Sequence, residues 1–310
     1  MKRLLTVLAV LVMVGVIGGG AVQYYRATTS DDVAAPPPPP PLESSAPAAP
    51  AQPDWCPRVE FIAAPGTWES SPEDDPLNPQ ANPNSFMLSI TNPLREAYDP
   101  ADVKVWTLPY TAQFKNINAQ QEMSYDESRD EGTLRLVNEL KFMGENCPQT
   151  KFVLSGFSQG AVIVGDVADL IGAGAGPVPA ASVAGVAIVA DGRRETGVGQ
   201  NPGVPVDGVG AEIALLPVNS LIQAIVPGAT MRGPRTNGFG ELADRTFQIC
   251  APNDTICDAP YNISNGFDRA LDLIQSDGVH AMYANNPNVI PGTTANAWVV
   301  DWAHRVIGAQ

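Results

Sequence analysis

The chain has 310 residues, of which 44% are hydrophobic and 16% charged, a composition typical of a globular protein with a sizeable core. Its 33 acidic and 18 basic residues give a net charge of −15. This charge argues against nucleic acid as a partner, because phosphates repel an acidic surface. One large domain with additional segments is the expected organisation for this length.

Residues 1–26 are predicted to be a membrane anchor or a signal segment. Lys2 and Arg3 precede an uncharged apolar run from Leu4 to Val22, which as a helix spans roughly 28 Å, about one bilayer core. The basic residues favour a cytoplasmic N terminus, and no clean small-residue cleavage site precedes Gln23, so we expect an uncleaved single-pass anchor. A cleaved signal peptide is the alternative. Both interpretations export the rest of the chain, either to the outer side of the cell membrane or as a secreted protein.

Residues 27–54 are predicted to be a linker rich in proline and alanine. The run AAPPPPPPL, from Ala34 to Leu42, lacks the side chains needed for a core, and polyproline favours an extended, semi-rigid spacer. A tail without mechanical purpose is the alternative.

The four cysteines all follow the apolar segment, and an even number of cysteines in an exported chain usually forms disulfides. Three pairings are possible. Cys250 and Cys257 are close in sequence, which favours a local bridge and leaves Cys56 to pair with Cys147. Metal binding is disfavoured, because the chain has two histidines and no CxxC pair.

Strand-like and helix-like patterns alternate through residues 55–310, which we predict to be the exported folded domain. Strands are predicted at 58–66, 102–110, 150–156, 182–191 and 244–252, and helices at 126–148, 158–174 and 296–309. The alternation predicts an α/β fold: a three-layer α/β/α sandwich around a mainly parallel sheet. Residues 192–243 are rich in glycine and proline and contain an apolar stretch from Ile213 to Val226. That stretch is either a buried segment or a lid over an active site.

The sequence KFVLSGFSQGAVIV contains a G-x-S-x-G motif formed by Gly156, Ser158 and Gly160. The motif follows an apolar strand and opens a helix, which is the setting of a nucleophile elbow, where small residues allow strand and helix to approach. The sequence therefore predicts Ser158 as a nucleophile held on a tight turn. A purely structural turn is the alternative.

A nucleophilic serine requires a base and an orienting acid. His280 lies in a loop after a helical pattern, whereas His304 lies in the closing helix beside tryptophans, so we expect His280 to be the base. Asp254 lies inside the short cysteine loop, just after a strand, and gives the chain order Ser, Asp, His of α/β-hydrolases. Asp191 also ends a strand and is the alternative acid.

The oxyanion of an acyl-transfer intermediate requires two preorganised donors. The backbone N–H of Gln159, which follows the nucleophile, is one candidate. The loop APGTWES offers the second, and Thr67 is preferred there because Pro65 has no N–H. The alternative is that Thr67 and Glu69 only shape a turn.

These segments together resemble the cutinase-like serine esterases. The resemblance is carried by CPQTKFVLSGFSQGA, CAPNDTICDAP, HAMY and APGTWES and spans residues 55–308. The whole chain is most similar to the membrane-anchored cutinase-like lipid hydrolases of mycobacteria and related actinobacteria. The resemblance implies a triad of Ser158, Asp254 and His280, with Thr67 and Gln159 at the oxyanion. It also implies the pairs Cys56–Cys147 and Cys250–Cys257.

The resemblance further implies an esterase acting on fatty-acyl esters of the cell envelope, including phospholipids, or on acyl thioesters, without a metal or organic cofactor. Two departures argue against the plant polyester cutin as substrate: a longer interval from Asp254 to His280 than in compact fungal cutinases, and the additional bulk of residues 192–243. An envelope acyltransferase and a non-catalytic anchored binding module are the alternatives. The expected partners are a lipid or acyl-ester substrate and the membrane, and the expected state is a monomer.

Overall fold

A central parallel sheet organises the catalytic domain. The computed structural model describes residues 52–260 and 278–310. The strands are β1 (Val59–Ala64), β2 (Val103–Thr107), β3 (Lys151–Phe157), β4 (Val183–Val189) and β5 (Thr246–Ile249). Their spatial order is β2-β1-β3-β4-β5, and every neighbouring pair is parallel. The central strands are buried on both faces, which explains why they read as continuous apolar runs.

Helices cover both faces of this sheet. They are α1 (Leu88–Ala97), α2 (Tyr125–Asn146), α3 (Gln159–Gly172), α4 (Ala211–Ala214), α5 (Asn219–Ile225) and α6 (Ala295–Gly308). One core contains Phe61 and Val153 with side chains of α1 and α6. The other contains Ile62 and Leu154 with side chains of α2 and α3. Successive strand residues thus point into opposite cores, as the pleat requires, and the predicted three-layer α/β/α sandwich is confirmed.

The predicted elements match this architecture except at their ends, and three helices, α1, α4 and α5, have no predicted counterpart. Helix α2 begins one residue earlier than predicted because Ser124 and Glu127 form a capping box. Strand β5 is shorter than predicted, since residues Gly240–Arg245 form a 3-10 helix. Helix α1 was not predicted: it contains Pro93, and only one side of it packs on the sheet, through Ile90 and Leu94.

Both predicted disulfides are present in the structure. Cys56 is bonded to Cys147 and Cys250 to Cys257. The first bond joins the segments that lead into β1 and β3, and the second closes the loop that follows β5. Two disulfides are typical of a domain that folds outside the cytoplasm.

The segment between β4 and β5 is fixed to α3 by partly buried ion pairs. Arg193, Arg232 and Arg235 all contact the Asp166 carboxylate on α3, at 2.9, 2.6 and 2.9 Å. Arg235 also pairs with Asp191 at 2.6 Å. Burial raises the pKa of Asp166, but the three guanidinium groups outweigh it and hold the pKa below its ordinary value. The segment is therefore held by charge pairing as well as by apolar packing.

The apolar stretch from Ile213 to Val226 is buried on one side only. Leu215, Ile222 and Val226 pack in a small core, whereas Leu216 and Leu221 are exposed. Within residues 52–260 and 278–310, no helix combines the length and the apolar character that a membrane crossing requires. The predicted anchor at 1–26 and the linker up to residue 51 lie outside the described residues.

Candidate active site

Ser158 occupies a strained turn between β3 and α3. Its φ of 52° and ψ of −117° are sparsely populated for a residue with a side chain, and such strain persists only where the surroundings enforce it. A Cβ on Gly160 would lie 2.0 Å from the Ala64 carbonyl oxygen, and one on Gly156 would lie 2.3 Å from the Gly160 oxygen. The motif therefore needs glycine on both sides, because strand, turn and helix backbones are in direct contact. The predicted elbow geometry is present.

His280 lies beside the serine. Its Nε2 is 2.9 Å from the Ser158 Oγ, and its ring stacks on Phe157 with 5.2 Å between centroids. The histidine begins a short 3-10 helix, His280–Met282, at the carboxyl edge of the sheet. Hydrogen bonding on one ring edge and stacking on the ring face together fix the imidazole plane.

Asp254 is fully buried and completes a chain of hydrogen bonds. Its carboxylate oxygens are 2.9 and 3.1 Å from the His280 Nδ1. The backbone N–H of Ile256 donates to Oδ1 at 3.0 Å, and the Tyr283 hydroxyl donates to Oδ2 at 2.7 Å. Burial raises the pKa of Asp254, but the contacts with His280, Tyr283 and Ile256 outweigh it and keep the pKa below its ordinary value. The carboxylate is thus held in its charged form.

The rival histidine and aspartate have other partners. His304 lies in α6, where its Nδ1 is 2.8 Å from the Tyr98 hydroxyl. Asp191 accepts hydrogen bonds from the Arg235 guanidinium and from the backbone N–H of Arg193. Of the candidates predicted from sequence, the structure brings Ser158, His280 and Asp254 together and leaves these two apart.

The loop after β1 and the start of α3 bring Thr67 and Gln159 to the same cavity as Ser158. Gln159 is the first residue of α3, so its N–H has no acceptor within the helix. Its side chain is fixed instead, since its Oε1 accepts from the Ser128 hydroxyl at 2.8 Å. Among the described residues, none accepts a hydrogen bond from the Thr67 N–H. Both residues therefore line the cavity with Ser158, and neither N–H is engaged by a backbone acceptor in the described part of the chain.

Glu69 braces the loop that carries Thr67. Its carboxylate accepts hydrogen bonds from the N–H of Gly66 at 3.0 Å, the N–H of Phe86 at 2.7 Å and the hydroxyl of Ser85 at 3.1 Å. Burial raises the pKa of Glu69, against the effect of these donors. The sequence offered Glu69 only as a turn residue, because its partner segment lies some sixteen positions further along the chain.

The cavity at Ser158 has a volume of about 450 Å³, within the range of small-molecule sites. Much of its lining is apolar, and the residues concerned are Phe86, Phe114, Tyr125, Phe157, Val162, Ala211, Met231 and Ile256. Several come from the segment between β4 and β5 or from the loop before α2. The sequence indicated residues 192–243 as a bulky connection, but it indicated neither the loop before α2 nor the individual lining residues.

The sheet order, the elbow and the cavity at the carboxyl edge define a fold of the α/β-hydrolase type, and the family and relative reported next define its class as a carboxylic ester hydrolase. The cutinase family model matches residues 55–300, and the chain belongs to the cutinase family. It is 61% identical over 308 residues to the Carboxylesterase Culp6 homolog of Corynebacterium glutamicum, covering 99% of each chain.

Solved structures also resemble the chain. The catalytic core domain of acetyl xylan esterase from Trichoderma reesei is 18% identical with a TM-score of 0.49, covering 82% of this chain and 99% of that chain. A cutinase-like protein from Cryptococcus sp. is 20% identical with a TM-score of 0.40, covering 79% of this chain and 100% of that chain.

Proposed function

We propose that this protein is a serine esterase that hydrolyses fatty-acyl esters through Ser158, His280 and Asp254. The observation that carries the proposal is the position of His280, with one ring nitrogen 2.9 Å from the Ser158 Oγ and the other 2.9 Å from the Asp254 Oδ2. A histidine between a hydroxyl and a buried carboxylate accepts the hydroxyl proton while the carboxylate stabilises the imidazolium.

The reaction follows from these positions. The Ser158 Oγ attacks the acyl carbonyl as its proton passes to the His280 Nε2. The N–H groups of Gln159 and Thr67 donate to the oxyanion of the tetrahedral intermediate, and α3 presents its positive N-terminal end there. His280 then protonates the leaving alcohol, or a leaving thiol if the substrate is a thioester. Water, deprotonated by His280, releases the fatty acid from the acyl-serine.

A fatty-acyl substrate is proposed from the cavity. The aromatic and aliphatic residues at Ser158 favour an alkyl chain, because apolar surface gains from leaving water. Phospholipids, other envelope lipids and acyl thioesters share this acyl group. We propose further that residues 1–26 hold the enzyme at the outer side of the cell membrane, close to such lipids.

The reaction is tested with a fluorophosphonate probe and a series of p-nitrophenyl acyl esters. Wild type should be labelled and hydrolyse the esters, and Ser158→Ala should do neither. Ser155→Ala is the matched control, because Ser155 lies on the strand that precedes Ser158. Its hydroxyl donates a hydrogen bond to the Ala187 carbonyl oxygen. His280→Gln should abolish hydrolysis, and His304→Gln should retain it. Hydrolysis by Ser158→Ala at the wild-type rate would refute the proposal.

Two further measurements address substrate and location. Product analysis with glycerol or a sugar as added acceptor separates hydrolysis from acyl transfer, since only the latter yields a new ester.

N-terminal sequencing of the protein from washed membranes tests the anchor: an intact N terminus in the membrane fraction is expected, whereas a free, shortened protein would mean that the segment is cleaved.

A further inference from the structure

Tyr283 lies three residues after His280, and both side chains contact the Asp254 carboxylate. Its side chain is 1% exposed, although it follows directly on a surface 3-10 helix. In a 3-10 turn, side chains three residues apart point in the same direction. His280 and Tyr283 therefore approach Asp254 side by side, with 6.3 Å between their ring centroids.

The hydrogen-bond roles of the Tyr283 hydroxyl are fixed by its partners. The Ala251 N–H can only donate, and it lies 2.9 Å from the hydroxyl oxygen. The ionised Asp254 can only accept, and its Oδ2 lies 2.7 Å away. The Cys257 Sγ also lies 3.3 Å from the hydroxyl, but a disulfide sulfur is a weak acceptor beside a carboxylate, so the single hydroxyl hydrogen points to Asp254. Burial and the neighbouring Asp254 raise the pKa of Tyr283 well above its ordinary value, so the phenol stays protonated.

The Asp254 Oδ2 is consequently shared between two donors. His280 Nδ1 lies 2.9 Å from it and the Tyr283 hydroxyl 2.7 Å from it. A hydrogen bond to a carboxylate withdraws part of the negative charge that stabilises a neighbouring cation. Each donor therefore affects how strongly the carboxylate interacts with the other.

We propose that Tyr283 is a positioning residue of the catalytic acid, which fixes the Asp254 carboxylate and sets how much of its charge His280 receives. The proposal rests on the proposed function, in which Asp254 orients the base. Tyr283 does not touch the reacting atoms. It acts through Asp254, and its effect is read from the pH profile of the reaction.

Other charged groups near this pair stay in place when the hydroxyl is removed. The half-buried Glu69 carboxylate is near enough to interact with His280, and it accepts hydrogen bonds from the N–H groups of Gly66 and Phe86. Arg194 interacts with Tyr283 and donates to the Cys257 carbonyl oxygen at 2.8 Å. Ser158 faces the other ring nitrogen. Of these groups only Arg194 interacts with the Tyr283 hydroxyl, and it stays bound to the Cys257 carbonyl oxygen when the hydroxyl is removed. The hydrogen bond to Asp254 is the direct link from Tyr283 to the catalytic chain, so a change in the pH profile would report mainly on Asp254.

The test is the pH profile of kcat/KM for p-nitrophenyl butyrate with the full-length Tyr283→Phe variant. Losing the donor leaves more negative charge for His280, so the acidic limb should move up by about 0.5 pH unit, a fraction of what a hydrogen bond to a charged group is worth. The plateau of kcat should fall about tenfold with KM unchanged, because the carboxylate is less well fixed. Tyr98→Phe is the control: it removes the hydroxyl of the other tyrosine–histidine pair and should leave the profile unchanged.

Replacing Tyr283 with 3-fluorotyrosine tests the same idea with the hydroxyl retained, and therefore covers a Tyr283→Phe protein that does not fold. The more acidic phenol donates more strongly, so the limb should move down. An unmoved limb, or a shift of opposite sign in either variant, would overturn the role of Tyr283. Ser158→Ala keeps the two proposals apart: if it is inactive while both Tyr283 variants have the wild-type profile, only the role of Tyr283 fails.

Discussion

Glu60 places a carboxylate in the buried central strand β1. The residue is 0% exposed, and Lys104 on β2 lies 2.8 Å from its Oε1. Burial raises the pKa of Glu60 from 4.5 to about 8, and Lys104 offsets only part of this effect. We therefore expect stability to depend on pH through this one side chain.

The sign and size of the dependence follow from linkage. Because the pKa of Glu60 is raised in the folded protein, the unfolded chain releases this proton first as pH increases. The contribution of protonated Glu60 to the free energy of unfolding is therefore fully present below pH 4.5 and is lost by about pH 8. A difference of about 3.5 pH units corresponds to about 5 kcal/mol, at about 1.4 kcal/mol per unit. Between pH 5 and 8, wild type should lose about 4 kcal/mol of unfolding free energy that Glu60→Gln does not lose.

Urea unfolding followed by tryptophan fluorescence at pH 5, 6.5 and 8 measures this difference. Glu139→Gln is the matched control, because Glu139 is the other carboxylate that contacts Lys104 and is not in the strand. That variant should keep most of the wild-type slope, since burial is the largest cause of the raised pKa of Glu60. Parallel changes in wild type and Glu60→Gln from pH 5 to 8 would refute the reasoning.

Three further predictions concern the site and its support. Glu69→Gln should lower kcat about tenfold with little change in KM, because an amide has one acceptor oxygen for the three donors that hold the Thr67 loop; steady-state kinetics measures it. Arg235→Met should lower the unfolding free energy by about 3–5 kcal/mol in urea, because it leaves buried Asp191 without its ion pair. Gly160→Ala should abolish fluorophosphonate labelling, because the new Cβ would meet the Ala64 oxygen at 2.0 Å and displace the elbow.

Each of these has a control within the chain. Ser85→Ala removes one donor to Glu69 and leaves both backbone donors, so kcat should change less than in Glu69→Gln. Arg135→Met breaks a more exposed pair with Glu131 and should cost under about 1 kcal/mol. Gly308→Ala adds a methyl group in open space and should leave labelling intact. Equal effects in variant and control would contradict the corresponding prediction.

The sheet was predictable because its strands are buried on both faces. Phe152, Val153 and Leu154 are all within 1% exposure, so burial removes the alternation that a one-sided sheet would show and leaves a plain apolar run. Helix α1 was not predicted, because its sequence has no clear helical pattern and its stability depends on tertiary packing. Pro93 interrupts its pattern, and the helix is held by packing against α6, which only the folded chain provides.

Some residues of the candidate site could be predicted from the sequence, and others could not. The Ser158 motif and the cysteine loop around Asp254 are local signals, and the two histidines of the chain reduced the choice of base to His280 or His304. Glu69 and Tyr283 carry no local signal for their roles. Their hydrogen bonds join segments 16 to 32 positions apart, so they become visible only when the loops are folded together.

The two ends of the described chain lie at the edge of the sheet away from Ser158. The Gln52 side chain accepts from the Gln149 N–H beside Cys147, before β3, and Arg58 before β1 donates to the Ile307 oxygen near the end of α6. Ser158 follows the other end of β3, whose 7 residues extend about 23 Å. A fluorescent protein or a solid support joined directly at residue 52 in place of residues 1–51, or at residue 310, should therefore leave the cavity open, so that residues 52–310 can be immobilised at either point while substrates are assayed.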